Sequence, residues 1–189
     1  FSEQGEVKIL SLGTGQGGDL LGLLTAIEQS INMPISIRVD IIDGNRISLE
    51  YCEKVITRFS DQSIHNMKYH IHHLSFSNMK SMHELKKSLN YSEYDVIITF
   101  KFLSELIELN HQENINSYYD FLSHAHPLLS KTAYILLLDV TTNINGEYLP
   151  KLLNNQAAKY ARNVNDLHTL IPIPCHLFEE ECSSACFTQ

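Results

Sequence analysis

The feature that most constrains the fold is an apolar run that leads through closely spaced glycines into a helical pattern. Val7–Leu12 is typical of a buried strand, Gly13–Gly18 interrupts it, and Asp19–Ile31 carries leucine and isoleucine at helical spacing. Glycine lets the backbone turn tightly and approach a ligand closely. The start of the following helix adds unpaired N–H groups and the positive end of a helix dipole. The segment therefore predicts a ligand-binding turn between a strand and a helix.

The rest of the chain repeats this alternation of short apolar runs and longer helical patterns. Further strands are predicted over Ile35–Ile42, Met67–Leu74, Tyr94–Thr99, Ala133–Val140 and Leu167–Ile173. Helices are predicted over Ile47–Phe59, Asn78–Leu89, Phe102–Leu109, Ile115–Leu129 and Tyr148–Ala161. The alternation predicts an α/β fold, a doubly wound and mostly parallel sheet with helices on both faces, Rossmann-like. With 189 residues and no visible repeat or linker, we expect one domain over residues 1–189.

An acidic residue ends the second predicted strand. Asp43 precedes Gly44 and Asn45, a strong turn signal, and a carboxylate at this place can accept both ribose hydroxyls of a nucleoside. Gly13, Gly15 and Gly18 also satisfy the dinucleotide pattern G-x-G-x-x-G, with Asp43 about 25 residues further on, so an NAD-dependent oxidoreductase is an alternative. A second alternative is a glycine turn that only packs the helix against the strand.

Charge and hydropathy exclude some classes of protein. The formal net charge is −8, with 14 Lys and Arg against 22 Asp and Glu, which argues against tight unaided binding of RNA or DNA. No apolar run approaches the roughly 20 residues that span a bilayer, so no membrane association is expected. The chain opens with Phe1, so we expect a trimmed fragment of a longer chain. We expect a reducing compartment, the cytoplasm or, for a eukaryotic protein, the mitochondrial matrix.

The first glycine segment resembles the first motif of class I S-adenosylmethionine (SAM) methyltransferases, and Gly15–Leu21 also resembles the corresponding loop of mRNA cap guanine-N7 methyltransferases. The resemblance implies a SAM cofactor and a SAM-binding methyltransferase fold. Carried over residue by residue, the cofactor-binding set is Ser11, Gly13, Thr14, Gly15, Gln16, Gly17, Asp43, Gly44, Asn45 and Phe100. Phe100 would border the adenine or the substrate, and core packing is its alternative role.

One position departs from that motif. The methyltransferases usually carry an acidic residue two places before the first glycine, where this chain has Ser11. The resemblance then implies that the methionine ammonium of SAM is less well compensated. A charge-assisted hydrogen bond contributes roughly 1.5–3 kcal/mol, so Ser11→Asp is expected to tighten SAM binding.

Tyr94–Leu106 resembles the fourth motif of a methyltransferase-like family associated with assembly of the mitochondrial small ribosomal subunit, with bacterial relatives. Pro172–His176 and Ala185–Gln189 resemble its cysteine-containing stretches, whereas Asp139–Thr141 replaces the Glu-Pro-Gly that the family favours. The resemblance implies methylation of RNA, ribosomal RNA or a ribosomal subunit as partner, and an iron–sulfur cluster or zinc in the segment 172–189. The implied metal ligands are Cys175, Cys182 and Cys186. Their spacings match no standard zinc finger, so three ordinary terminal cysteines are the alternative.

Methyl transfer from a sulfonium needs alignment more than catalytic groups, and no catalytic residue is assigned. Glu105 could orient a substrate amine, although a solvated helix residue is the commoner role. A small-molecule methyltransferase and a non-catalytic SAM-binding assembly module are the competing functions. His65, His70, His72 and His73 lack a metal-ligand spacing, and strand alternation sends His72 and His73 to opposite faces.

Overall fold

A computed structural model describes residues 5–76, 85–89, 93–109, 116–140, 142–144, 146–164 and 167. Five parallel strands form one sheet: β1 (Glu6–Leu12), β2 (Ser36–Asp43), β3 (Asn66–His73), β4 (Tyr94–Phe100) and β5 (Leu129–Leu138). The helices are α1 (Gly18–Ser30), α2 (Arg46–Gln62), α3 (Leu85–Ser88), α4 (Phe102–Leu109), α5 (Ser117–Ala125) and α6 (Leu149–Asn163). Asn143–Ile144 (β6) and Glu147–Tyr148 (β7) pair as a short antiparallel hairpin. The predicted α/β fold is confirmed.

Two hydrophobic clusters lie on opposite faces of the sheet because neighbouring residues of each strand point to opposite sides. Within β1, Val7 and Ile9 belong to the cluster under α1 and α2, whereas Leu10 and Leu12 belong to the cluster under α4, α5 and α6. A strand such as β1 is buried on both faces, which explains its continuous run of apolar residues. The predicted helices on both faces are therefore confirmed.

The chain after α5 differs from the sequence prediction. The predicted helix ends at Ala125, because Pro127 cannot continue an α-helix and instead lies in a single 3₁₀ turn over His126–Leu128. Strand β5 then begins at Leu129, before the predicted Ala133. Ser130, Lys131 and Thr132 near its start are polar and partly buried or exposed, so the apolar pattern did not reveal this part of the strand. Of the predicted helix Asn78–Leu89, residues 78–84 lie outside the described residues and Leu85–Ser88 is helical. The predicted strand Leu167–Ile173 lies outside the described residues except for Leu167.

The strand order β3-β2-β1-β4-β5 creates a switch point. From β1 the chain moves outward to β2 and β3, then returns to β4 on the other side of β1. In open sheets of this kind, ligands bind in the crevice outside the carboxyl ends of the strands at the switch point. Here that crevice lies between the loop after β1 and the loop after β4. No helix in the described part of the chain is long and apolar enough to cross a membrane.

Candidate cofactor-binding site

The loop after β1 is built on three glycines in the left-handed region. Gly13, Gly15 and Gly17 have φ of 62°, 55° and 89°. A side chain would make this conformation costly by roughly 1–2 kcal/mol per residue. The amides of Gly13 and Thr14 both donate to the carbonyl oxygen of Ile42, at 2.9 and 3.2 Å. The loop is therefore tied at its start to the end of the neighbouring strand β2.

Asp43, the last residue of β2, holds the middle of the same loop. Its Oδ2 accepts a hydrogen bond from the Gly15 amide at 2.7 Å, and its Oδ1 accepts one from the Asn45 amide at 2.7 Å. An ionised carboxylate has about four acceptor positions, so two remain after these bonds. The side chain is partly exposed. Asp43 thus keeps the capacity to accept two hydroxyl groups.

Gly44 and Asn45 link this acid to the elements around it. The Asn45 side chain accepts from the amides of Ile47 and Ser48, at 3.0 and 3.1 Å, and so caps α2. The Gly44 carbonyl accepts from His73 Nε2 at 3.0 Å. A Cβ placed on Gly44 would lie 3.3 Å from Ser75, so the loop after β3 packs directly against the turn after β2. Asn45 is therefore explained by its capping of α2, and the small size of Gly44 by its close contact with Ser75.

Ser11 lies beneath the loop rather than on its surface. Its side chain is fully buried, and its Oγ lies 2.6 Å from Thr14 Oγ1, with one hydroxyl donating to the other. Thr14 is also buried. The two hydroxyls therefore occupy the place at which the resemblance expects an acidic side chain.

The start of α1 adds a second acid to the site. Gln16 is exposed, whereas Asp19, in the first turn of α1, is partly buried and its Oδ2 has no hydrogen-bond partner among the described residues. Burial raises the pKa of Asp19, and the neighbouring charge of Asp43 raises it further. Hydrogen bonds from the amides of Asp19 and Leu20 oppose this rise.

The loop after β4 contains the one non-glycine residue of the described chain with positive φ. Lys101 has φ of 61°, its amide donates to the Leu138 carbonyl at 3.0 Å, and its Nζ lies 5.3 Å from the centre of the Phe100 ring. Such a backbone costs roughly 1–2 kcal/mol for a residue with a Cβ and marks a constrained turn. Phe100 is 41% exposed and shares its face of the sheet with Val96 and Ile98, under the α1 and α2 side.

Carboxylates surround the same end of the sheet. Glu105 in α4 is exposed, yet desolvation by neighbouring groups raises its pKa; the charges of Asp43 and Asp139 raise it further, while Lys101 opposes them. Asp139 follows β5 and accepts a hydrogen bond from the Tyr118 hydroxyl at 2.9 Å. Burial, and then the charge of Asp139, raise the pKa of Tyr118 above its ordinary value. The rim of the crevice is therefore acidic.

Sequence reasoning missed a buried polar network on β2. Asp40 is fully buried, and its carboxylate accepts hydrogen bonds from the Tyr94 hydroxyl and from His72 Nε2, the latter at 2.7 Å. His70 Nδ1 lies 3.6 Å from the same carboxylate. The signal was present in the sequence as a single acid inside the apolar run Ile35–Ile42. His72 and His73 bond to different partners on opposite faces, as strand alternation predicts.

No group of three or more His, Cys, Asp or Glu side chains in the described residues could hold a metal ion. Cys175, Cys182 and Cys186 lie outside the described residues. The iron–sulfur or zinc site therefore stays a prediction.

No protein-family model and no curated protein sequence matches the chain. Solved structures resemble it in fold. One is the trans-methyltransferase CalH in complex with S-adenosylhomocysteine (SAH), with a TM-score of 0.45 and 15% identity, covering 70% of this chain and 31% of that chain. Another is a putative class I SAM-dependent methyltransferase from Listeria monocytogenes, with a TM-score of 0.47 and 12% identity, covering 84% and 46%. A third is the [4+2]-cyclase SpnF, with a TM-score of 0.43 and 14% identity, covering 85% and 52%.

The chain thus spans about a third to a half of the length of these proteins. At such identities the likeness concerns the fold alone.

Proposed function

We propose that this chain binds SAM in the crevice between the loops after β1 and β4 and transfers its methyl group to an acceptor. One observation carries the proposal. The Asp43 carboxylate is hydrogen-bonded to the Gly15 amide, which fixes a strand-end acid beside a left-handed glycine loop at the switch point of the sheet.

The residues of the crevice fit a nucleoside cofactor. At Gly15 an added Cβ would meet nothing within 4 Å, so the glycine loop gives a ligand access to the backbone at this residue. The acceptor positions left on Asp43 suit two ribose hydroxyls. Bound SAM supplies an electrophilic methyl group, so the protein has mainly to align the acceptor and exclude water. We therefore assign Asp43 to holding the ribose and the loop after β4 to holding the acceptor.

The positions of Gly17 and Gly18 favour SAM over a dinucleotide. In the pattern G-x-G-x-x-G the third glycine, here Gly18, permits close packing of the helix. A Cβ on Gly18 would meet nothing within 4 Å, whereas one on Gly17 would lie 2.8 Å from Cys52 Sγ. The sterically required third glycine is therefore Gly17, which gives the spacing G-x-G-x-G that resembles the SAM motif.

For the acceptor, we propose a small molecule rather than RNA. After desolvation, the charges of Asp43 and Asp139 raise the pKa of Glu105, so the three carboxylates lie near one another, and clustered carboxylates repel a phosphate backbone. Methylation of ribosomal RNA, which the family resemblance implies, would then need positive charge from a partner or from another part of the protein. The same resemblance is compatible with a non-catalytic SAM-binding module.

Calorimetry with SAM, SAH and NADH tests the cofactor. We expect SAH and SAM to bind in the micromolar range and NADH to bind much more weakly, and preferential NADH binding would overturn the proposal. Transfer of a labelled methyl group from SAM to small amines and to ribosomal RNA fragments then tests the acceptor. Cofactor binding without transfer to any acceptor would favour the non-catalytic module.

A further inference from the structure

The first glycine of the loop after β1 is in direct contact with the first residue of α4. A Cβ on Gly13 would lie 2.6 Å from Phe102 Cβ and 2.7 Å from Phe102 Cδ2. Real Cβ atoms do not approach heavy atoms so closely, so Phe102 already occupies the space beside the Gly13 backbone. The phenyl ring therefore bridges the two loops that border the crevice.

A second aromatic ring extends this bridge. Phe76 packs edge to face against Phe102, with ring centroids 5.7 Å apart and an interplanar angle of 73°. Phe76 follows Ser75, which contacts Gly44 in the turn after β2. The rings of Phe76 and Phe102 therefore lie between Gly44, which follows Asp43, and Gly13. A nucleoside with its ribose on Asp43 and its chain along the glycine loop has to pass along the same line.

Two features beside Phe102 allow its ring to change position. Phe102 is only partly buried. It follows Lys101, whose left-handed backbone is strained, so relaxation of the Lys101 backbone changes the direction of the Phe102 side chain. Thr99, paired in register with Leu12 immediately before Gly13, has a buried hydroxyl with no hydrogen-bond partner among the described residues. Native proteins rarely leave a buried hydroxyl unpaired. A rearrangement that lets a polar group reach the Thr99 hydroxyl, at the ends of β1 and β4, is therefore favoured.

We propose that Phe102 is a gate, supported by Phe76, whose ring has to leave Gly13 before a nucleoside cofactor lies along the glycine loop. This inference rests on the proposed SAM function and adds to it a conformational step. If only the open fraction of the protein binds, the apparent affinity and association rate are reduced by that fraction. Removal of the ring then removes the gating step.

The test is the association rate of SAH with immobilised full-length chain, measured by surface plasmon resonance. We expect Phe102→Ala and Phe102→Leu to associate at least about tenfold faster than the wild type, with a smaller change in dissociation rate. Phe59→Leu is the matched control, because Phe59 packs in the cluster on the other face of the sheet, and it should keep the wild-type rate. Circular dichroism establishes that each variant is folded. If Phe102→Ala does not fold, the association rate of Phe102→Leu decides the test.

The outcomes separate the two proposals. Equal association rates in wild type and Phe102 variants overturn the gate and leave the SAM proposal standing. Slower association or lost binding in those variants also overturns the gate, since Phe102 would then be a ligand contact. Absence of SAH binding in the wild type and in every folded variant overturns the proposed function itself. Binding that is seen in the Phe102 variants and not in the wild type supports the gate.

Discussion

The amide of Gly15 donates a hydrogen bond to Oδ2 of Asp43 at 2.7 Å, across 28 positions of the sequence. The bond joins the glycine loop after β1 to the end of β2. The same carboxylate accepts from the Asn45 amide, so one side chain orders both turns at this end of the sheet. Asp43 thus has a structural role that exists before any cofactor binds, and its substitution is expected to affect both stability and affinity.

Asp43→Asn keeps the shape of the side chain but replaces one acceptor oxygen with an N–H donor. One of the two amides then loses its partner, so we expect the free energy of unfolding to fall by about 1–3 kcal/mol in urea titrations. Loss of the charge also weakens hydrogen bonds from ribose hydroxyls, which should raise the calorimetric Kd for SAH about tenfold or more.

Asp61→Asn is the matched control, because Asp61 is exposed at the end of α2. Asp61→Asn should leave the free energy of unfolding and the Kd for SAH equal to those of the wild type within experimental error. If Asp43→Asn bound SAH as tightly as the wild type, Asp43 would not hold the ribose.

Gly13 and Gly15 offer a comparison between two left-handed glycines. Each alanine substitution forces a Cβ into a left-handed conformation, at about 1–2 kcal/mol. Gly15→Ala meets nothing within 4 Å, whereas Gly13→Ala also meets Phe102. Overpacking adds about 1–3 kcal/mol, so Gly13→Ala should be the less stable variant by that amount in urea unfolding.

The partner of this clash can be tested as well. Phe102→Ala should not rescue Gly13→Ala fully, since the nearest atom is Phe102 Cβ, which alanine retains. Equal stability of the two glycine variants would show that Phe102 moves aside at little cost.

Ser11→Asp tests the position where methyltransferases usually carry an acid. Because Ser11 is fully buried and paired with Thr14, the structure replaces the expectation of tighter SAM binding with one of lower stability. A carboxylate placed there loses hydration, and burial raises its pKa above the unfolded value of about 3.9. The variant should therefore approach wild-type stability near pH 4 and lose stability progressively as the pH rises through the raised pKa.

Urea unfolding at pH 4 and pH 8 measures this dependence, with Ser11→Ala as the uncharged control. Ser11→Ala should show the wild-type pH dependence. Should Ser11→Asp instead be as stable as Ser11→Ala at pH 8 and bind SAM more tightly, the acid reaches the cofactor as in the related motif.

The sequence predicts most of what depends on local pattern and less of what depends on contacts between distant segments. The bounds of α4 and the position of Asp43 at a strand end follow from apolar periodicity and turn residues. The bond from Gly15 to Asp43 and the contact of Phe102 with Gly13 depend on how two loops meet, which no local pattern encodes. The roles of Cys175, Cys182 and Cys186 remain predictions.

Cys52 provides a chemical test of the packing between α1 and α2. Its side chain is fully buried against Gly17, and burial, followed by the charges of Asp19 and Asp43, raises the pKa of its thiol to about 12. The reactive thiolate is therefore almost absent at pH 8. We expect iodoacetamide to leave Cys52 unmodified in the native protein at pH 8, as read by peptide mass mapping, and to modify it fully in urea.

The same pKa predicts a loss of stability at high pH. In the unfolded chain the thiol ionises near its ordinary value of 9.0, whereas in the folded chain it stays protonated up to about 12. Stability is fully present below pH 9 and declines as the pH rises from 9 towards 12, and Cys52→Ala should lack this component. Rapid native alkylation of Cys52 at pH 8 would show that the helix contact opens readily.

The buried carboxylate of Asp40 makes Tyr94 a structural residue of the sheet. The Tyr94 hydroxyl donates to Asp40 from 54 positions away, and both side chains are fully buried. Tyr94→Phe removes a donor from a buried carboxylate, and hydrogen bonds to charged groups contribute about 1.5–3 kcal/mol. We expect the free energy of unfolding at pH 7 to fall by that amount, whereas Tyr51→Phe, at an exposed position, should have no effect.

A double-mutant cycle isolates the interaction from other effects of each substitution. Asp40→Asn should lower stability in the wild-type background and cost less in the Tyr94→Phe background, because the hydroxyl–carboxylate bond is then already lost. Residues that share such a bond show coupling energies of about 0.5–3 kcal/mol. Additive effects in urea unfolding would mean that Asp40 is held by His72 and its other neighbours, and that the Tyr94 hydroxyl contributes little.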